Sequence, residues 1–289
     1  MANYTRPRRR RRQTLRTLLL LSLLILAGAV FFHWSNHSLQ VEEFTATFDR
    51  LPEGFDGCTI VHLSDLHGAQ FGEDNANLLD AVRAAQPDYI VLTGDLLDRF
   101  RETPQSYAVN LCASLMKIAP TYLVTGNHEW ALPGIRQLKA AIAETGAVVL
   151  TNEFVALEQG GDQIILAGVD DPNGFADQKT PAELADELYA AYDDPFWLLL
   201  AHRNNYFEKQ YHLLGADLVL CGHAHGGMIR LPLTDGLIGV ERELFPSHTA
   251  GLYEIGGAKL FVSRGLGNSG PSFRLFNRPQ VAVLTLKRG

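Results

Sequence analysis

Cysteine is scarce in this chain. There are three in 289 residues, Cys58, Cys112 and Cys221, an odd number set far apart. That excludes a disulfide framework and a thiolate zinc cluster, and leaves core thiols as the reading. Positive charge unbalanced by acid is also confined to one place. Residues 1–16 hold seven arginines (Arg6, Arg8, Arg9, Arg10, Arg11, Arg12 and Arg16) and no acid, so removing those seven charges from the formal net of −7 leaves −14 on the rest. A body of that sign carries no basic track for nucleic acid, although metal ions can reverse the local charge and let it hold an anionic substrate. Internal repeats and low-complexity tracts beyond the arginines are absent, which argues against solenoids and linkers.

One long apolar run is present. Residues 18–32 are uncharged, and the run reaches 18 residues if Thr17, His33 and Trp34 are included. That length lies between a signal-peptide core and a membrane span. Ala27-Gly28-Ala29 has the small-x-small form of a cleavage site, whereas Trp34 suits an interfacial anchor. A signal anchor and a cleaved signal both fit. In either case arginines stay in the cytoplasm, so the following domain is expected outside it. The organisation read from the chain is a basic tail at 1–16, a single-pass anchor at 17–34, a connector at 35–56 with a strand inside it, and one catalytic domain at 57–289. The protein is expected to be monomeric.

Within the domain, apolar strand candidates alternate with helical spacing. Strands are expected at 59–63, 89–92, 121–124, 148–150, 164–167, 197–201, 217–220, 251–255, 259–263 and 280–286. Helices are expected at 75–85, 107–118, 134–144 and 181–192. Such alternation argues for an α/β layered architecture.

The chemistry lies where those strands stop. Five apolar runs each end in polar residues: Ser64-Asp65-Leu66-His67, Gly94-Asp95, Gly126-Asn127-His128-Glu129, Ala201-His202, and Gly222-His223-Ala224-His225-Gly226-Gly227. Ligand sites in α/β sheets gather at the carboxyl ends of strands, so these runs would bring about eight oxygen and nitrogen donors into one cleft. Any one of these histidines alone would more often be structural. Five motifs in this order are not explained that way.

These motifs resemble the calcineurin-like metallophosphoesterases, over residues 59–286. Leu231-Pro232, Thr249-Ala250-Gly251-Leu252-Tyr253, Ser263-Arg264-Gly265-Leu266-Gly267-Asn268 and Arg274-Leu275-Phe276-Asn277-Arg278-Pro279 are similar to the membrane-associated bacterial branch. That branch includes a wall-associated phosphodiesterase and UDP-diacylglucosamine hydrolases of lipid A synthesis. The resemblance implies a four-layer α/β/β/α sandwich behind one N-terminal membrane helix. It implies two divalent metals, one held by Asp65, His67 and His225, the other by Asn127, His202 and His223, with Asp95 between them. Imidazole with carboxylate and amide suits manganese, iron or zinc, and manganese is favoured. His128 would be catalytic with Asp98 orienting it, and Arg264, Asn268, Arg274 and Arg278 would contact substrate phosphate. Three departures stand out: Arg203-Asn204 where a proline is usual, Met228 in place of glutamine, and Ser247-His248 in place of a Lys-Tyr pair. The expected activity is hydrolysis of a phosphodiester or pyrophosphate on a lipid-linked substrate, with an envelope or wall polymer as the other candidate. A nuclease would share the core but lacks its basic track here, and a non-catalytic scaffold would be expected to lack ligands.

Overall fold

The computed structural model describes residues 6–175, 178–231 and 235–289, with side chains from residue 12 onward. Residues 1–5 of the basic tail and Pro232 therefore lie outside the described residues.

The chain opens with a single helix, α1 (Arg6–His37), of 32 residues. Its segment Arg12–His37 has mean hydropathy 2.3, and its apolar 18-residue window is not buried in the protein, whereas Ser35 and Asn36 at its end are. At 1.5 Å per residue those 26 residues reach about 39 Å, enough to cross a hydrocarbon core of about 30 Å.

Among the described residues, twelve strands then build two six-stranded sheets. The first sheet has the order β1 (Gln40–Phe48), β12 (Gln280–Arg288), β2 (Thr59–Leu63), β3 (Tyr89–Leu92), β4 (Thr121–Leu123), β5 (Val148–Val149). The second runs β10 (Gly251–Ile255), β11 (Ala258–Val262), β9 (Leu218–Gly222), β8 (Trp197–Arg203), β7 (Asp162–Gly168), β6 (Glu153–Gln159). Strands β2 to β5 are parallel to one another, and so are β7, β8, β9 and β11.

The strands read as continuous apolar runs because both faces of each sheet are covered. Ile60, Val91, Leu198, Leu200 and Leu220 meet between the sheets. Val61, Leu63, Ile90 and Leu92 point the other way, against helices α2 (Ala76–Ala84), α3 (Gln105–Leu115) and α5 (Ile135–Ala143). Trp197, Leu199 and Val219 face Leu184 and Leu188 of α6 (Pro181–Ala191). The period-2 alternation thus sends successive residues to different cores. Helix α6 starts where Thr180 accepts from Glu183 N at 3.2 Å and Pro181 takes the first turn, a complete capping box. The result is the helix–sheet–sheet–helix sandwich expected from the resemblance.

Two differences from the sequence reading concern edges. The connector at 35–56 contains the full nine-residue strand β1, paired in parallel with β12, so it is part of the folded body. Strand β6 had not been anticipated. It forms a hairpin with β7 across Gly160-Gly161, both at positive φ, and its half-exposed pattern gives it little apolar signal.

Candidate metal centre

The carboxyl ends of β2, β3, β4, β8 and β9 face one another between the sheets. Asp65 and His67 follow β2, and Asp95 and Asp98 follow β3. Asn127 and His128 open the short helix α4 (Asn127–Ala131) after β4. His202 lies on β8, and His223 and His225 follow β9.

These loops fit together only because small residues let their backbones close. A Cβ at Gly126 would come 2.2 Å from Asp95 Oδ1, and one at Gly222 would come 1.9 Å from Ser64 Oγ. The donors themselves are held in the left-handed region: φ is 51° at Asp65, 48° at His67, 54° at Asp95, 68° at His223 and 49° at His225. Each such position costs about 1–3 kcal/mol and persists only where surrounding contacts impose it. Glu129 supplies much of that constraint. Its buried carboxylate accepts from Asp95 N at 2.9 Å, Leu97 N at 2.8 Å and Gly126 N at 2.8 Å. It thereby ties the β3 loop to the β4 loop.

Three overlapping groups of buried donors result: Asp65–His67–His225, His67–Asp95–His128 and Asp95–His202–His223. Within each group the ligand atoms lie within 4.8 Å of one another. His67 Nε2 stands 3.1 Å from His225 Nε2, and His202 Nε2 stands 3.1 Å from both Asn127 Oδ1 and His223 Nδ1. Asp95 Oδ2 lies 3.7 Å from His67 Nε2 and 3.3 Å from His202 Nε2, so this one carboxylate faces both clusters. His202 Nδ1 donates to Thr93 O at 2.7 Å, which turns Nε2 toward Asp95 and Asn127.

The electrostatics match a cation site. Burial drives His67 and His223 well below the ordinary histidine value and His225 down to about 3, leaving neutral rings with lone pairs. Burial also raises Asp65 to about 6. Asp95 is desolvated too, yet the charge of His202 and their hydrogen bond outweigh that and hold it well below the usual carboxylate range. His202 shows the converse: burial works against its proton, but Asp95 wins and raises it to about 10. The proton on His202 is thus the positive charge that Asp95 holds in this pocket. Imidazoles, carboxylates and one amide, without thiolate, suit a divalent transition metal.

His128 borders the cluster. Its Nδ1 lies 3.1 Å from Asp98 Oδ1, and its Nε2 lies 3.3 Å from Ser269 Oγ and 3.9 Å from Asp95 Oδ2. Asp98 is fixed in turn, accepting from Gly270 N and Phe100 N, both at 3.0 Å. On the other side, next to His223, a cavity of about 320 Å³ is lined by Asn204, Glu208, Lys209, Glu241, Glu243 and His248.

The four residues expected to contact substrate are engaged elsewhere. Arg274 is buried, donating to Gly267 O at 2.6 Å and Arg264 O at 2.8 Å, with its guanidinium 3.4 Å from His225 Nδ1. Arg264 pairs with Glu42 of β1 at 2.7 Å. Asn268 Nδ2 donates to Asn36 Oδ1 at 3.0 Å. Arg278 donates to Ser38 O, Ser38 Oγ and Leu39 O and stacks over Trp34 at 4.7 Å. They join the end of α1 and β1 to the C-terminal loops, and of the three guanidinium groups that of Arg264 keeps Nε and Nη2 without a hydrogen bond. Sequence reasoning missed Glu129, Ser269, Phe100 and Asn36. Glu129 was visible within the Asn-His-Glu motif, but its three amide partners come from loops that only the fold brings together.

A four-layer sandwich with buried histidines and aspartates at its strand ends defines a metal-dependent hydrolase of phosphoric esters. The chain belongs to the calcineurin-like phosphoesterase family, which matches residues 58–227. It is 30% identical to the uncharacterized metallophosphoesterase YkoQ of Bacillus subtilis, over 91% of this chain and 97% of that protein. It is also 30% identical to the phosphodiesterase YaeI of Escherichia coli, covering 78% of this chain and 81% of the relative. A transmembrane protein with a metallophosphoesterase domain from Bos taurus is 30% identical over 82% of this chain and 55% of its own length.

Proposed function

We propose that this protein is a dimetal phosphodiesterase attached to a membrane by α1, cleaving a phosphodiester on a lipid-linked substrate. The observation that carries the reading is Asp95, whose carboxylate faces His67 on one side and His202 on the other. Asp65, His67 and His225 would hold one ion, Asn127, His202 and His223 the second, and Asp95 would serve both, with manganese the favoured metal. Two such ions supply Lewis acidity toward phosphoryl oxygens and a water acidic enough to attack at neutral pH.

The protein's own groups do the rest. Arg99 N donates to His128 Nδ1 at 3.1 Å with Asp98 beside it, so Nε2 can carry a proton to the departing ester oxygen. The cavity beside His223 would take the polar side of the substrate. Glu208, Glu241 and Glu243 against Lys209 disfavour a second phosphate there. That supports a phosphodiester with a neutral or cationic group over a nucleotide-linked pyrophosphate such as UDP-diacylglucosamine. The assignments for Arg264, Asn268, Arg274 and Arg278 become positioning roles around His225 and the α1 junction.

Asp95→Asn and His223→Ala are each expected to reduce Mn²⁺-dependent hydrolysis of bis-p-nitrophenyl phosphate to background. Full activity in either would overturn the assignment, and wild-type protein that binds two metal ions but hydrolyses no phosphoester would favour a scaffold. The Arg-rich start of α1 supports an extracytoplasmic position for the domain. A phosphatase reporter fused after Gly289 should therefore be active, and a cytoplasmic Gly289 would reverse the orientation.

A further inference from the structure

The C-terminal turn of α1 is packed against the loop that also reaches the metal centre. Asn36 Oδ1 accepts from Arg274 N at 2.7 Å and from Asn268 Nδ2 at 3.0 Å, and Asn36 Nδ2 donates to Arg274 O at 3.0 Å. The Phe31 ring of α1 meets that of Phe276 at 5.0 Å and the Phe32 ring meets that of Phe273 at 5.9 Å, both pairs tilted. The same loop supplies Ser269 to His128 and Gly270 N to Asp98. A Cβ on Gly270 would come within 3.1 Å of the Phe100 ring, which itself lies 5.6 Å from His128. An unbroken series of contacts thus runs from the apolar helix to the edge of the cleft.

The residues along it have the composition of an interfacial surface. Phe100 is 60% exposed, Phe273 41% and Phe276 56%, three large aromatics open to solvent in one rim. Arg99 stacks over Phe100, and Arg101 donates to Gly270 O, so exposed cations accompany the aromatics although the body as a whole is acidic. Asp98 and Glu102 are the acids adjoining them in sequence, and Asp98 Oδ2 lies 3.6 Å from Arg101 Nε, which leaves Arg99 as the cation free of an ion pair with Asp98. Aromatic rings interleaved with arginine suit the headgroup region, where rings bury and guanidinium groups meet phosphate. Isolated exposed aromatics need no explanation, but a cluster in contact with a membrane-length helix does.

We propose that Phe100, Phe273 and Phe276 form a rim that lies in the headgroup region of the bilayer spanned by α1, so that the metal cleft meets the membrane surface on its His128 side. The proposal rests on the reading of α1 as a membrane helix and goes beyond it. One ester arm of the substrate would stay at the bilayer while the other entered the cavity beside His223. A tether alone would leave the cleft free to face away from the lipid.

Thiol labelling can test this in the full chain, because Cys58, Cys112 and Cys221 are all buried. Phe100→Cys, Phe273→Cys and Phe276→Cys would each carry an environment-sensitive fluorophore in vesicles of phosphatidylcholine and phosphatidylglycerol containing either a headgroup-proximal or a chain-terminal spin-labelled lipid. Leu24→Cys in α1 and Leu213→Cys, exposed on the far outer layer, serve as references. The expected result is loss of fluorescence at the three rim positions with the headgroup-proximal lipid, at position 24 with the chain-terminal lipid, and at 213 with neither. Quenching at 24 without quenching at the rim would overturn the proposal while leaving α1 in the membrane. No quenching at 24 or at the rim would overturn the membrane reading and the proposal together.

Discussion

At the scale of single residues, His128 is the group whose neighbours assign it a task. It lies outside the two triads that share Asp95 as a common face, yet Asp98, itself held by two amides, fixes its ring. Losing it should therefore affect proton delivery and spare metal binding. His128→Gln is expected to lower kcat by about 10²–10⁴, with two metal ions still bound by elemental analysis. Loss of one bound metal would instead make His128 a ligand, as its 3.9 Å approach to Asp95 allows. His128 was legible in the Asn-His-Glu motif that marks a strand end, whereas the expectation for Asp98 came from the family resemblance. Glu129 was printed in the same motif, but a carboxylate that accepts three amides from neighbouring loops looks, in one dimension, like any surface glutamate.

At the scale of elements, the strands and helices that set the site followed from alternating apolar runs, and the edges did not. Strand β6 escaped because an exposed hairpin strand with burial on few positions has no continuous apolar run. For residues 40–48 an entry strand within a connector was expected, and it is the pairing of β1 to β12, with polar residues alternating along it, that makes it part of the sheet. The arginines near the C-terminus illustrate a different limit of sequence. A guanidinium that meets carbonyls and one that meets phosphate have the same spelling, and Arg274 and Arg278 meet carbonyls. The junction they build turns on Asn36, whose side chain makes three hydrogen bonds to the 268–274 loop. Asn36→Ala should cost about 1–3 kcal/mol, since a buried amide N–H of Arg274 loses its acceptor. Hydrogen exchange should show the matching local effect, faster exchange across residues 268–274 with β2 and β3 unchanged. Uniform protection in the variant would mean that the helix end does not brace the loop.

At the scale of the whole molecule, the sandwich concentrates at one place groups that repel or remain desolvated unless positive charge joins them. Asp65 is fully buried and Asp95 is 1% exposed, and the imidazoles of His67, His223 and His225 are neutral. Five of these donors also sit at strained left-handed backbone angles. A divalent ion binds the folded arrangement and not the unfolded chain, so it should stabilise by mass action, about 2.7 kcal/mol at a hundredfold excess over Kd. Removing metal with a chelator should thus lower Tm, and Mn²⁺ should restore it in a concentration-dependent way. The gain must run through Asp95, because its carboxylate faces both clusters. In Asp95→Asn, added Mn²⁺ should raise Tm much less than in the wild type, although the variant loses a buried charge and gains no cavity. If Mn²⁺ raised both by the same amount, stabilisation would come from surface carboxylates of the acidic body, and the strand-end cluster would not be where the fold gains from the ion.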